Sequence, residues 1–323
     1  MNSLAVIAGK ELLDLRRNRF LGLLLLFILA AVTLSVVVGA AGFRVKSEEY
    51  LAYVEALRQQ GSSTIPAAPQ LFPLRLMRGG IEYLELIGAL FAIVVGYGMI
   101  AREKHRRTVE LLLSRPINHY ALGGGKLVAV ATMWFVAVGV VFTVVIAVLL
   151  LVAKAPMGAA EVAKLLICAG AAWVYLVMWS AIAMGLASMA RFLSTGLIAT
   201  LVLWLVVVLI IPQIGDTMDP DNQVPGGLFR SLQIAPADEL AVLADFSDFD
   251  TVRNGLEASS ITKHYERLSF AFLGMADEHN GLPIGDVAAM TIINSAALAG
   301  VAVLAVAFAV LTTTRRSLLR RQA

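Results

Sequence analysis

The chain has 323 residues, of which 59% are hydrophobic and 15% are charged, and its net charge is +3. Soluble domains carry about 25% charged residues, so this composition excludes an ordinary soluble protein and indicates a membrane protein with several spans. The one cysteine, Cys168, lies in an apolar run and excludes an intrachain disulfide.

The N-terminal stretch, residues 1–19, predicts a helix that lies on the membrane surface. Ala5, Ala8, Leu12 and Leu15 recur at helical spacing on one face, and charged side chains occupy another face. The pattern runs directly into the first apolar run, which favours an interfacial helix over a flexible cytoplasmic lead.

Six apolar runs are long enough to cross a bilayer, for which about 20 apolar residues are needed. They are, in chain order, 20–42, 84–101, 121–152, 165–190, 192–211 and 287–312. The first is too long for a signal-peptide core and has no clear cleavage pattern, so we treat it as a retained span. The fourth and fifth must be separated by a turn, because one helix of about 47 residues would measure about 70 Å, well beyond the hydrocarbon core of about 30 Å. We place this turn at Arg191, with Ser194 and Thr195.

The basic residues predict that both termini face the cytoplasm, with residues 313–323 as a cytoplasmic tail. In that orientation the inner segments hold 15 basic and four acidic residues, whereas the rest of the chain holds 11 and 19. This asymmetry follows the positive-inside rule, and five or seven spans would remove it. We therefore expect an all-α membrane protein with six transmembrane helices.

Two outer segments, 43–83 and 212–286, connect the spans on the other side. The first begins with a helix-like piece, RVKSEEYLAYVEALRQQ, followed by a Gly-Ser-Pro linker. The second is rich in Asp, Gly and Pro and contains short helical candidates at Ala237–Leu243 and Thr262–Phe272. Both are small for independent domains, so we expect them to pack on each other or on a partner.

The inner segment 102–120 contains the most charged run of the chain, REKHRRTVELLLSRP. A helix over residues 103–115 would place four polar residues at i, i+3, i+4 and i+7, which are Glu103, Arg106, Arg107 and Glu110. Val109, Leu112 and Leu113 fall on the opposite face, and Ser114 and Pro116 end the helix. The pattern indicates a short amphipathic helix between two spans. By itself it fits a solvated positive anchor as well as a docking element for a partner.

Residues 103–126, EKHRRTVELLLSRPINHYALGGGK, resemble the segment after the second span of ABC-2 type transporter permeases. The matching positions are Glu103, Thr108, Glu110, Leu112, Leu113, Ser114, Pro116, Ile117, Gly125 and Lys126. Arg107 stands where the family usually has Gly. Outside this segment the resemblance is one of layout. It is nearest to permeases from nitrous-oxide-reductase maturation gene clusters, although drug, bacitracin-type and sodium exporters share the core motif.

The resemblance implies a type V exporter-like permease of the bacterial inner membrane that works as a homodimer in lipid with two copies of a separate ABC ATPase subunit. The permease itself would be no enzyme and hold no cofactor, since ATP and Mg would bind to the ATPase, and no nucleic-acid partner is implied. The ATPase would dock on a coupling helix formed by Glu103, Arg106, Arg107, Thr108, Glu110, Leu112, Leu113, Ser114 and Pro116.

Neither a nucleotide site nor an intramembrane protease is indicated in this chain. The GGGK at 123–126 lacks the Gly and the Ser or Thr of a P-loop, since His119 and Leu127 occupy those positions. We expect its glycines to permit a tight turn and close helix packing. Ser180 in the fourth span has no flanking glycine signature, and no histidine lies in a span.

Two acidic residues, Glu82 and Glu85, lie at i and i+3 at the outer end of the second span. They are candidates for the wall of an outward vestibule on a substrate path, or for simple interfacial partners of Arg75 and Arg78. We expect no metal site. The only weak metal-ligand candidates are His264 and His279 of the last outer segment, since scattered ligand types without spacing usually belong to a solvated loop.

Two functions remain in view. The first is the permease subunit of an ATP-driven exporter. The second is an ATP-driven conformational transmitter, which would act on a periplasmic protein bound to the 212–286 segment in copper or metalloenzyme maturation. A secondary transporter is disfavoured because the span interiors lack charges for ion coupling.

Overall fold

The computed structural model describes residues 3–59, 73–106, 119–155, 157–218, 231–233, 238, 247–275, 279 and 281–314. Every regular element within these ranges is helical, and six of the helices there are long and apolar enough to cross a membrane. The prediction of an all-α protein with six spans is therefore confirmed.

The first two helices, α1 (Ser3–Arg17) and α2 (Arg19–Gln59), are separated by a single residue. Asn18 makes this break, because its Oδ1 accepts hydrogen bonds from the backbone nitrogens of Phe20 (3.1 Å) and Leu21 (3.4 Å) and so caps α2. The 41 residues of α2 join the first span and the helix-like piece of the outer segment without interruption.

The second span belongs to a helical stretch that begins before residue 84 and ends after residue 101. A 3₁₀ turn (Pro73–Met77) leads into α3, which consists of Arg78–Tyr83, a π-helical turn at Leu84–Gly88 and Ala89–Arg106. The predicted coupling helix over 103–115 therefore does not start as a separate element, because residues 103–106 continue the span helix.

The remaining spans are α4 (His119–Leu151), α5 (Ala159–Met189), α6 (Leu193–Met218, with a π-helical turn at Leu205–Ile210) and α10 (Ile292–Thr312). Ala190 and Phe192 are extended and separate α5 from α6, so the predicted break at Arg191 is confirmed. Ser194 and Thr195 lie inside α6, and their assignment to the turn was wrong.

Three shorter helices begin in the last outer segment, namely α7 (Ser247–Ser259), α8 (Ile261–Phe272) and α9 (Ile284–Met290). The helical candidate Thr262–Phe272 is thus confirmed. The other candidate, Ala237–Leu243, lies outside the described residues except for residue 238. The prediction of one span over 287–312 was wrong at its start, because α9 ends at Met290 and the span helix begins at Ile292.

Helix α5 occupies the centre of the bundle. Its backbone approaches α3 so closely that a Cβ on Gly96 would lie 2.0 Å from the carbonyl oxygen of Ser180. The Ser180 hydroxyl donates to the carbonyl of Ala92 (2.9 Å) and accepts from Nε1 of Trp134 (2.9 Å). Ser180 therefore joins α3, α4 and α5 and has a structural role.

Helices α2, α6 and α10 surround this centre and expose apolar side chains such as Leu34, Ile198 and Leu304. Such surfaces suit lipid contact. The bundle has two ends. The terminal end carries α1, the end of α3, the start of α4 and the end of α10, and the loop end carries α7, α8 and α9.

Candidate functional site

A cluster of four charged side chains, three of them buried, lies at the terminal end, close to the two described edges of the gap 107–118. Its central residue is Lys126 on α4, whose side chain is fully buried. The Lys126 ammonium donates to Oε1 of Glu11 (2.9 Å) and to the carbonyl of Met99 (3.2 Å), and its Nζ lies 2.8 Å from Oε1 of Glu103. Three acceptors match the three protons of a lysine ammonium.

The cluster is electrically balanced. Glu11 comes from α1 and Glu103 from α3, and both are buried. Lys10, whose side chain is 47% exposed, adds a second cation 3.4 Å from Glu11 and 3.9 Å from Glu103. Burial pushes the pKa of Glu11 upward, but the attraction and hydrogen bonds of Lys126 and Lys10 outweigh it and hold that pKa below its ordinary value.

The neighbouring residue of the same helix, Lys104, ties the end of α3 to the end of α5. Its Nζ donates to the carbonyls of Ala187 (2.9 Å), Ser188 (3.3 Å) and Ala190 (3.0 Å). A cation at a helix C-terminus satisfies carbonyls that lack helical partners and interacts favourably with the helix dipole. Ser188 also bonds to the hydroxyl of Thr313 (3.0 Å), which extends the connection to the end of α10.

The glycines before Lys126 allow the helices at this end to approach closely. A Cβ on Gly125 would lie 2.7 Å from Cγ2 of Ile7 on α1, and one on Gly123 would lie 3.0 Å from Cα of Val310 on α10. The expected close packing is therefore present, but the expected tight turn was wrong, because these glycines lie inside α4.

The structure revises the predicted coupling residues in one respect. Glu103 does not belong to an exposed polar face, because its carboxylate is buried against Lys126. Arg106 is the last residue of α3. The predicted partners farther along lie outside the described residues and stay predictions, namely Arg107, Thr108, Glu110, Leu112, Leu113, Ser114 and Pro116.

The sequence analysis did not predict the buried cluster, because it treated Lys126 and Glu11 only as charges on the inner surface of the membrane. A signal was present, because Lys126 begins a long apolar run, and a charge at such a position is usually paired or functional. The sequence does not show which of the few inner carboxylates meets it.

At the loop end, Glu82 and Glu85 differ in their surroundings, and their place on a substrate path stays a prediction. The Glu82 side chain is 46% exposed and pairs with Arg78 (2.9 Å), whereas Glu85 is buried. Glu85 lies in the π-helical turn at Leu84–Gly88, which interrupts the regular α-helical spacing after Glu82. Tyr175 of α5 donates to the Glu85 carbonyl (3.2 Å) and stacks on Tyr265 of α8, with ring centroids 4.6 Å apart. The interfacial pairing with Arg78 therefore holds for Glu82.

The weak metal candidates do not form a site in the described structure. Both ring nitrogens of His264 are engaged, Nδ1 with Oδ1 of Asn294 (2.7 Å) and Nε2 with the carbonyl of Ala258 (3.0 Å). His279 is described, but residues 276–278 and 280 around it are not. Across the described ranges, no group of three or more potential metal-ligand side chains comes together.

Comparison with known protein families gives a match over nearly the whole chain. The model described as ABC-2 family transporter protein matches residues 5–321. Among curated proteins, no match is found.

Proposed function

This chain belongs to the ABC-2 family of transporter proteins and is a multi-pass membrane permease component of an ABC transporter, and we propose that a separate ATPase drives it through residues 107–118. ATP and Mg would bind to two copies of that ATPase, and two copies of this chain would form the membrane dimer. With the basic terminal end facing the cytoplasm, the complex would lie in a bacterial inner membrane and work as an exporter.

The observation that carries this proposal is the anchoring of both edges of the 107–118 segment. Before it, Glu103 and Lys104 are bonded to α4 and α5, and after it, Lys126 is bonded to α1 and α3. A displacement of the segment by an ATPase would therefore act on four helices at once. Packed interfaces of this kind tend to shift between discrete arrangements and do not deform continuously.

The buried charges suit such a joint. Separating a buried ion pair is costly, because each charge would then lie in apolar surroundings without its partner. The two charged side chains therefore keep their relative positions when the helices move. Helices α1, α3 and α4 would therefore move together at the level of Lys126, while their apolar surfaces slide against lipid.

The test separates ATPase docking from ATPase coupling. Arg106→Glu and Leu113→Ala lie in or next to the 107–118 segment, and each should reduce co-purification of the ATPase subunit. Lys126→Met should leave the ATPase bound but uncouple ATP hydrolysis from transport in reconstituted vesicles. The proposal fails if the segment variants bind the ATPase as the wild type does.

A second function, the conformational transmitter, is favoured by the way the loop-end helix α8 and the chain after it are bonded to the spans. Cys168 Sγ of α5 donates to the carbonyl of Ser269 (3.6 Å), and Lys164 of α5 donates to Leu282 (3.2 Å). Arg75 before α3 donates to Gly274 (2.7 Å). Movement of the spans would therefore reach the loop-end surface directly.

We propose a periplasmic protein as the receiver of this movement, in copper or metalloenzyme maturation. Val252 on α7 is 56% exposed and offers a test that spares the buried contacts. Val252→Glu should release such a partner and leave ATP hydrolysis unchanged. If the complex transports a substrate in vesicles without any periplasmic protein, the transmitter function is wrong and the exporter function stands.

A further inference from the structure

An apolar groove lies outside the charge cluster, between α1, α2 and α4. Its volume is about 770 Å³, within the range of pockets that hold small organic ligands. Leucine, isoleucine, methionine and valine side chains make up most of its wall, among them Leu25, Ile28 and Met133. The Thr132 hydroxyl in the wall already donates to the carbonyl of Val128 (2.8 Å).

The groove opens sideways to the surroundings of the bundle. Leu13 on α1, Leu26 on α2 and Val136 on α4 line it and are 54%, 60% and 58% exposed. These three residues form its rim. An occupant can therefore enter from the bilayer without passing through the protein core.

Polar groups that line the groove concentrate at its terminal end. These are Asn18, whose Oδ1 caps α2, and Arg16 in the last turn of α1. Arg16 forms no ion pair with any residue that the structure describes. Arg17 and Arg19 follow it and add to the positive potential at this end of the groove.

Along α2, the length of the groove is close to the depth of one leaflet. Its lining runs from Asn18, which caps α2, to Leu29, which is about 16 Å at 1.5 Å per residue. Half of a typical hydrocarbon core is about 15 Å. The groove thus combines an apolar channel one leaflet deep with a single cationic end.

We propose that this groove binds one acyl chain of an anionic phospholipid, and that Arg16 holds the phosphate. The chain fills the space between α1, α2 and α4, and the headgroup lies at the level where α1 meets α2. The lipid therefore supports α1 from the side opposite to its contact with Lys126, which makes the position of α1 sensitive to the composition of that leaflet.

The headgroup is tested with two charge-neutralising variants of neighbouring residues. Phosphatidylglycerol or phosphatidylcholine is added to the delipidated full-length protein in detergent, and bound lipid is counted by native mass spectrometry. The wild type should prefer phosphatidylglycerol. Arg16→Gln should lose about fivefold of this preference, as expected for one basic residue at a lipid surface, whereas Arg17→Gln, which does not line the groove, should keep most of it.

The acyl chain is tested with two glycine variants of α2. A Cβ on Gly22 or on Gly42 would meet no atom within 4 Å, and only Gly22 lines the groove. Gly22→Leu should fill part of the groove and weaken binding of both lipids by about tenfold. The leucine side chain would displace methylenes of the acyl chain, and each methylene lost from the apolar groove weakens binding. Gly42→Leu should bind as the wild type does.

Three results would overturn the proposal. They are equal binding of the two lipids by the wild type, equal binding by Gly22→Leu and Gly42→Leu, and loss of a dimer in Gly22→Leu with lipid binding intact. The last result would assign the groove to a second copy of the chain. Circular dichroism of each variant checks that the helices have formed.

Discussion

Replacing Lys126 with methionine is the sharpest test of the buried cluster. The change keeps most of the side-chain volume and removes the charge, so that Glu11 and Glu103 lose the cation that bonds both of them. Lys10 remains near them, but its side chain is 47% exposed and its nitrogen lies 3.4 Å and 3.9 Å from the two carboxylates.

Removing one partner from a buried ion pair typically costs about 3–5 kcal/mol. We expect about 3 kcal/mol here, because Lys10 still compensates one carboxylate and the other can take up a proton. The loss should shrink as the pH falls, since a protonated carboxyl group needs no countercharge. Lys10→Met is the matched control, and its loss should stay below about 1 kcal/mol because the side chain is half exposed.

The measurement is reversible unfolding of the detergent-solubilised protein, followed by circular dichroism at several pH values. A third variant combines Lys126→Met with Glu11→Gln and Glu103→Gln. It should recover most of the lost stability, because replacing the three buried charges together leaves no buried charge without a partner, and such replacements are often neutral. The reasoning is refuted if Lys126→Met loses less than about 1 kcal/mol, or if the triple variant is no more stable than the single one.

Three further changes have expected outcomes. Gly96→Ala should destabilise the bundle by at least about 2 kcal/mol, because its Cβ would lie 2.0 Å from the carbonyl oxygen of Ser180. Gly98→Ala, with open space around it, should be neutral in the same unfolding assay, and equal losses by the two variants would contradict the packing. The pKa of Glu11 is lowered. Its contribution to the free energy of unfolding is therefore complete above the ordinary value of 4.5 and is lost as the pH falls from there through the folded-state pKa. Glu11→Gln should flatten the dependence of stability on pH below about pH 4.5, and an unchanged dependence would exclude this role. Lys104→Gln should lower hydrogen-exchange protection in the last turn of α5 by about 1 kcal/mol, and protection equal to that of the wild type would show that the three carbonyl contacts are dispensable.

The spans could be predicted from the sequence because hydrocarbon length and apolar composition leave few alternatives. The break at Arg191 followed from the same limit on helix length. The extension of α2 to Gln59 was not foreseen, because residues 44–59 carry charges that end the apolar run, although they favour a helix. Arg44 and Glu48, for example, form an i,i+4 pair (3.2 Å) that supports its continuation.

The candidate site was harder to predict, because a sequence gives spacing along one helix but not the partners across helices. Glu103 lies at helical spacing from Arg106 and Arg107, which indicated an exposed polar face. The structure instead pairs it with Lys126, 23 positions farther along, through the return of the chain into α4. Likewise, the spacing of Glu82 and Glu85 predicts a shared helix face only if the helix is a regular α-helix. The π-helical turn at Leu84–Gly88 interrupts that regularity.

The uninterrupted course of α2 has a geometrical consequence. Its 41 residues form a rod of about 61 Å, roughly twice the hydrocarbon thickness. If the rod pivots by 5° about its capped end at Asn18, its far tip travels about 5 Å, given the same rise per residue. Such a small rotation would open no gap between the packed helices at one surface of the membrane. Beyond the opposite surface, it would move the tip of α2 by about the height of one helical turn.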